Sequence, residues 1–216
     1  MSRSTPSSLL REGLLEGVSI MLACADRAQK GQPASPAVAV RALCASLGAR
    51  VSDCPLPGEA SAEAEEAAVG EAVATTLGQA GAIDMLIVDG GGLFAARGAQ
   101  GEEARRALVG VLESSWNVTR AVVNQAFLAQ QRAGRVVYLA PAPDGGTHAG
   151  AACAGLENLA RTLSIEWARH AITPVTIAPA ADTKAEELAT LAAYLASPAG
   201  AYFSGCLLDL RGPAAS

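Results

Sequence analysis

Aromatic side chains are scarce: three Phe, three Tyr and two Trp amount to 4% of 216 residues, although half the chain is hydrophobic. The core must therefore be built from Ala, Val, Leu and Ile, with helices packed closely through small side chains. Basic residues are also few, 16 Lys and Arg against 21 Asp and Glu, giving a net charge of −5 and a pI near 5.1. They are scattered rather than gathered in a stripe, which excludes a phosphate-backbone partner such as nucleic acid. With two histidines, no H-E-x-x-H pair and no G-x-S-x-G elbow, metallohydrolase and serine-hydrolase chemistries lack their residues. The five cysteines, Cys24, Cys44, Cys54, Cys153 and Cys206, are odd in number and form no C-x-x-C pair. They read as reduced core thiols of a cytosolic protein and argue against structural zinc. No run reaches the roughly 18 apolar residues of a membrane span, and Arg3, Arg11 and Glu12 interrupt the amino terminus. A soluble, cytoplasmic protein is expected.

What is present is an alternation of apolar runs and helical patterns. Val18–Leu22 reads as a buried first strand, followed by a polar, turn-rich stretch up to Ser35, which can cap a helix beginning at Pro36. That helix stops at Gly48, suited to a left-handed cap, and ARVSDCPL predicts a second strand ended by Pro55 and Pro57. A long helix follows from Ala60 to about Leu77, with acidic residues at its positive end. IDMLIVDGGG predicts a central parallel strand running into a glycine turn, where ligands bind in such folds. Helices are expected near Glu102–Leu112 and Ser115–Gln131, then the strand RVVYLA, a helix over Ala149–His170, the strand PVTIAP, a helix over Lys184–Leu195 and a last strand CLLDL. This pattern predicts an α/β, doubly wound, mostly parallel Rossmann-like sheet. No repeat, linker or low-complexity tract divides the chain, so one domain over 1–216 is expected, its ordered core spanning about 14–212.

The segments AGLENLARTLSIEWARHAITPVTIAP and YLASPAGAYFSGCLLDLRG resemble the active-site helix, following strand and carboxyl-terminal segment of the short-chain dehydrogenase/reductase superfamily. GRVVYLAPA is similar to the strand ending in that family's catalytic Ser, and IDMLIVDGG to the strand carrying its Asn-Asn-Ala-Gly motif. The resemblance covers most of 80–212 and implies a Rossmann fold and NAD(P)-dependent oxidoreduction. That chemistry needs a Tyr to move the proton, a Lys one helical turn later to lower the phenol pKa, and a Ser to orient the carbonyl. Here Ala149 stands at the Tyr position, Cys153 at the Lys position and Ala140 or Pro141 at the Ser position. No shift of register restores them, because 141–163 contains neither Tyr nor Lys. The family's G-x-x-x-G-x-G loop lets backbone amides approach a pyrophosphate. Its counterpart, Ala23 to Gly31, lacks the glycines and carries Asp26, with Arg27 and Lys30 nearby. No cofactor is expected from this pattern; NAD(P) belongs to the alternative that the chain is still an enzyme.

The resemblance also implies that one strand–helix unit is missing between the family's second and fourth strands, because Val51 and Asp84 lie too close to contain it. A substrate-covering lid is absent after Pro179-Ala180. Asp53 lies where a ribose-binding acid would stand, and reads instead as a solvated strand-end carboxylate. Gly90, Gly91 and Gly92 either line a ligand crevice or turn the chain off a strand. His148 beside Cys153 allows an activated thiol to be imagined. Asp144, Thr147 and His148 allow a proton-transfer set for non-redox cyclase or lyase chemistry. The plainer readings are a loop histidine, a small buried cysteine and a D-G-G-T-H turn. Tyr138 reads as a core residue whose hydroxyl needs a partner. The resemblance implies oligomer contacts through helices 115–131 and 149–170 and the carboxyl-terminal segment, with Ala151, Ala152, Ala154 and Ala160 as the close-approach residues. The function expected is a non-catalytic subunit, homodimeric or paired with an active reductase paralogue, with an enzyme as the alternative.

Overall fold

A computed structural model describes residues 10–25, 35–56, 62–98 and 100–212. The first strand, β1 (Ser19–Ala25), runs three residues beyond the expected run because Ala23, Cys24 and Ala25 pair in register with Cys54, Pro55 and Leu56 of β2 (Arg50–Leu56). Between them α1 (Pro36–Ser46) begins as the sequence predicts: Ser35 is the N-cap, its Oγ accepting the Ala37 amide at 3.2 Å, and Pro36 fills the first turn, where its missing N–H costs nothing. Gly48 adopts φ +99° after the helix, and a Cβ there would lie 3.2 Å from the Glu16 amide nitrogen, so both backbone and space require glycine. Pro55 does not end β2. The strand is the sheet edge among the described residues, with a neighbour on one side only, so a residue without an N–H is tolerated there.

The helix α2 (Ala62–Ala80) returns directly to β3 (Met85–Asp89), so β2 and β3 are separated by one helix and the unit expected to be missing is missing. Its first expected residue, Ala60, and Pro57 lie outside the described residues. The triple glycine is not a bare turn: Asp89 caps a short helix, α3 (Gly90–Ala96), whose Leu93 and Phe94 are fully buried. The two helices expected between Glu102 and Gln131 are one, α4 (Glu103–Val122), continued by a π-helical stretch at Val123–Leu128. No proline interrupts it, and Ser114, at the expected break, is buried, its hydroxyl accepting from Arg97 and donating to Glu65.

The remaining elements are β4 (Gly134–Leu139), α5 (Ala149–Glu166), β5 (Ile172–Ala178), α6 (Ala185–Ala196) and β6 (Leu207–Asp209). The helix expected to reach His170 ends at Glu166, and a 3-10 turn, Ala168–His170, leads to Ala171 at φ +53°. All six strands form one parallel sheet in the order β2-β1-β3-β4-β5-β6. Alternate residues build two cores. Met21, Ala23, Leu86, Val88, Val136 and Tyr138 face α2, α4 and α5, while Ile20, Leu22, Met85, Ile87, Val137 and Val175 face α1 and α6. Tyr138 is fully buried, and its hydroxyl meets Thr119 Oγ1 at 2.9 Å, the partner its core role requires. No helix among the described residues is long and apolar enough to cross a membrane.

Candidate functional site

In an open parallel sheet, ligands bind outside the carboxyl ends of the strands, where the chain switches direction of progress. Here that switch lies between β1 and β3, since β2 is laid down on one side of β1 and β3 on the other. The end of β1, the start of α1 and the end of β3 therefore converge on the position a dinucleotide pyrophosphate takes in such folds. Asp26, Arg27 and Lys30 of the connecting segment lie outside the described residues.

At this switch stands Asp89, the last residue of β3, with none of its surface exposed. Its Oδ1 accepts the Gly92 amide at 2.9 Å, capping α3. Its Oδ2 accepts the Ser35 hydroxyl, and Ser35 Oγ in turn accepts the Ala37 amide of α1 at 3.2 Å. Asp89 thus caps α3 directly and holds Ser35, the N-cap residue of α1, in place. Burial pushes the Asp89 carboxyl above its ordinary value, while Ser35, Gly92 and Ala37 pull it back toward the ionised form. Sequence reasoning missed this residue. A detectable signal existed, because an Asp three residues before a glycine amide at a strand end is an N-cap pattern.

The glycines after Asp89 have packing reasons. A Cβ on Gly90 would lie 2.7 Å from Leu156 Cδ1 of α5 and 3.0 Å from the Leu139 carbonyl, and one on Gly92 would collide with the Asp89 carboxylate. Gly91 is looser, its Cβ position 3.4 Å from the Ala140 oxygen and from Pro141 Cα. Asp53 is not brought to Asp89. It pairs in register with Leu22, on the α1 side of the sheet, and its half-exposed carboxylate forms an ion pair with Arg41 of α1.

On the other side of β3, the residues that the sequence resemblance sets at the catalytic positions form an apolar wall. Ala140, Pro141, Ala149 and Cys153 are buried. Burial pushes the Cys153 thiol up, with Glu157 and Asp209 adding to the rise against Arg211, the reverse of what an activated thiolate needs. Asp144, Thr147 and His148 are exposed on the connecting turn, where the Gly145 amide bonds the Ala142 carbonyl at 2.9 Å. His148 takes a left-handed φ of +71° and leads into α5, its carbonyl accepting the Ala152 amide at 2.9 Å.

A second cleft, of about 580 Å³, opens at the opposite end of the strands and is lined by Glu16, Asp84, Arg132, Arg135 and Thr173 among others. Its charges are internally engaged: Asp84 accepts Arg132 at 2.7 Å and the Ser19 amide at 2.8 Å, and Arg135 donates to the Ala196 carbonyl at 2.6 Å.

No protein-family model matches the chain, and no curated protein matches it by sequence. Solved structures do. A short-chain dehydrogenase from Mycobacterium smegmatis superposes with a TM-score of 0.73 at 20% identity, over 95% of this chain and 95% of that one. A 3-oxoacyl-[acyl-carrier protein] reductase from Brucella melitensis gives 0.72 at 15% identity, over 100% of this chain and 98% of that one. A hydroxysteroid dehydrogenase from Escherichia coli also gives 0.72 at 15% identity, over 93% and 98%. With one sheet in the order expected of a Rossmann core and these structures matched along nearly their whole length, the chain has the short-chain dehydrogenase/reductase fold.

Proposed function

We propose that this chain is a non-catalytic subunit on the short-chain dehydrogenase/reductase fold, kept for its surfaces. It forms a homodimer, or a hetero-oligomer with an active reductase paralogue that it stabilises or regulates, in the cytoplasm. The observation that carries this reading is the Asp89 carboxylate bonded to the start of α1. A dinucleotide brings negative charge to that helix end, and a buried carboxylate already there opposes it. The apolar occupants of the family's proton-transfer positions, Pro141, Ala149 and Cys153, argue in the same direction.

The surface reading draws support from α4 and α5. Val109, Leu112 and Trp116 recur along one stripe of α4, and Trp116 stacks on Trp167 with ring centroids 6.5 Å apart and planes 12° from parallel. Ile165 of α5 is 78% exposed, an unusual state for a large aliphatic side chain. The alanines expected to mediate close approach divide: Ala151 and Ala154 are exposed, but Ala152 and Ala160 are buried in the chain's own core and unavailable to a partner.

The second reading is an enzyme, a residual NAD(P)-dependent oxidoreductase or a non-redox cyclase or lyase that uses Asp144 and His148. The dehydrogenases and reductases among the structural neighbours favour it. Calorimetric titration with NADH and NADPH, with the mass in solution recorded alongside, separates the two. A stable oligomer giving no heat supports the first; binding tighter than about 100 µM, on the order of −5.5 kcal/mol, refutes it.

A further inference from the structure

The cleft at the amino ends of the strands holds its charges unevenly. Arg132 is answered by Asp84, Nη2 to Oδ1 at 2.7 Å. Arg135, at the start of β4, has no ion-pair partner among the described residues, and gives only Nη1, at 2.6 Å, to the Ala196 carbonyl at the end of α6. That bond closes the helix end and leaves the fork formed by Nε and Nη2 without a protein partner among the described residues. Burial lowers the Arg135 pKa more than nearby Asp84 raises it, the mark of a half-buried cation short of counter-charge.

Thr173 of β5 pairs in register with Arg135, so the two side chains stand on one face of neighbouring strands, roughly 5 Å apart at the backbone. The Thr173 hydroxyl also has no protein partner among the described residues. A planar two-donor fork beside a hydroxyl suits the edge of a carboxylate. Glu16 and Asp84 in the same cleft oppose a dianion such as phosphate, and a volume of about 580 Å³, walled also by Val18, Ala133 and Ala171, takes a molecule larger than a simple ion.

We propose that this cleft binds a small monocarboxylic acid, its carboxylate held by the Nε–Nη2 edge of Arg135 and the Thr173 hydroxyl, its apolar body lying on Val18, Ala133 and Ala171. The site is at the end of the sheet opposite the switch point, so it stands whether or not that crevice takes a dinucleotide.

The test follows the amide resonances of residues 133–135 and 173 by NMR while isotope-labelled protein is titrated with sodium butyrate, acetate, phosphate or chloride at matched ionic strength. Butyrate is expected to shift them saturably with a dissociation constant of about 1 mM or below. It should bind about tenfold more tightly than acetate, because its two further methylenes leave water. Phosphate and chloride should give no saturable shift there. Thr173→Val keeps the side chain's shape and removes the hydroxyl, and should weaken butyrate about tenfold. Arg135→Lys keeps the charge and a donor for Ala196 but loses the fork, and should weaken it at least as much. Should Arg135→Lys fail to fold, Thr173→Val still decides. No saturable shift with butyrate, phosphate binding as tightly as butyrate, or unchanged butyrate affinity in Thr173→Val overturns the proposal.

Discussion

Removing Glu65 from its buried pair with Arg97 should destabilise the protein by about 3 kcal/mol, and removing its partner as well should undo much of that loss. Glu65 of α2 and Arg97, at the end of α3, have side chains only 8% and 9% exposed, with Nη2 and Oε2 3.4 Å apart. Ser114 of α4 links them, accepting from Arg97 at 2.7 Å and donating to Glu65 at 2.6 Å. Burial lowers the Arg97 pKa, and Glu65 and Glu113 oppose that shift. Breaking a buried pair by deleting one member costs about 3–5 kcal/mol, because a charge is left uncompensated. After Glu65→Leu the guanidinium keeps Ser114 and the Leu93 carbonyl at 3.3 Å, which places the loss at the lower end. The pair is also imperfect, since Glu65 Oε1 is buried without a hydrogen-bond partner. Replacing both members, Glu65→Leu with Arg97→Met, removes that orphan oxygen with the charges, and such apolar replacements are commonly neutral or better. The double variant should therefore be more stable than either single variant, with a coupling energy of about 3 kcal/mol. Urea unfolding of all four proteins, fitted with a common slope, measures it. Single variants that lose less than about 1 kcal/mol, or a double variant equal to the sum of the singles, would refute the reasoning.

Tyr138→Phe removes a buried hydroxyl whose partner, Thr119 Oγ1, still bonds the Ser115 carbonyl at 2.6 Å, so the same assay should give a loss of only about 1 kcal/mol. Gly134→Ala should cost several times more, because its Cβ would collide with the Phe127 ring at the start of β4, and a fall in thermal midpoint of several degrees checks it. Burial pushes the Cys44 and Cys54 thiols up to about 12, so native protein at pH 8 should alkylate Cys24 and Cys206 well before either, as peptide mass spectrometry would show. The same shifts fix a sign: the folded state holds these two protons after the unfolded chain has released them, so stability is whole below pH 9 and falls from there toward 12, by up to about 1.4 kcal/mol per thiol per pH unit.

The strands were the most legible part of the chain. IDMLIV, RVVYLA and PVTIAP are runs that only a doubly covered parallel sheet can bury, and the structure places them in adjacent strands. The start of α1 was legible because Ser35 and Pro36 act locally on the first helical turn. The helix α3 was not, because three glycines carry the poorest helix propensity short of proline, and it forms because Asp89 caps it and Leu93 and Phe94 find a buried site. The union of the two expected helices into α4 also depends on packing, with Ser114, at the expected break, buried between Arg97 and Glu65. At the site, the absence of Tyr and Lys from 141–163 was readable by inspection, whereas the partner of Asp53, Arg41 of α1, was not, because only folding brings the helix against β2.

Legible in the chain alone, then, were the alternation of strand and helix, the two-sided burial of the sheet and the lack of Tyr and Lys over 141–163. These follow from periodicity, caps and composition, which act between residues a few positions apart. Only the tertiary structure decided that Asp89 meets Ser35, 54 positions away, and that Glu65 meets Arg97 across 32. The first exists because the sheet order puts β3 beside β1 and brings the amino end of α1 to the end of β3, the second because α2 and α3 both pack on α4, whose Ser114 lies between the pair. A carboxylate's role is set by the donors that surround it after folding, and no local pattern in the chain encodes those.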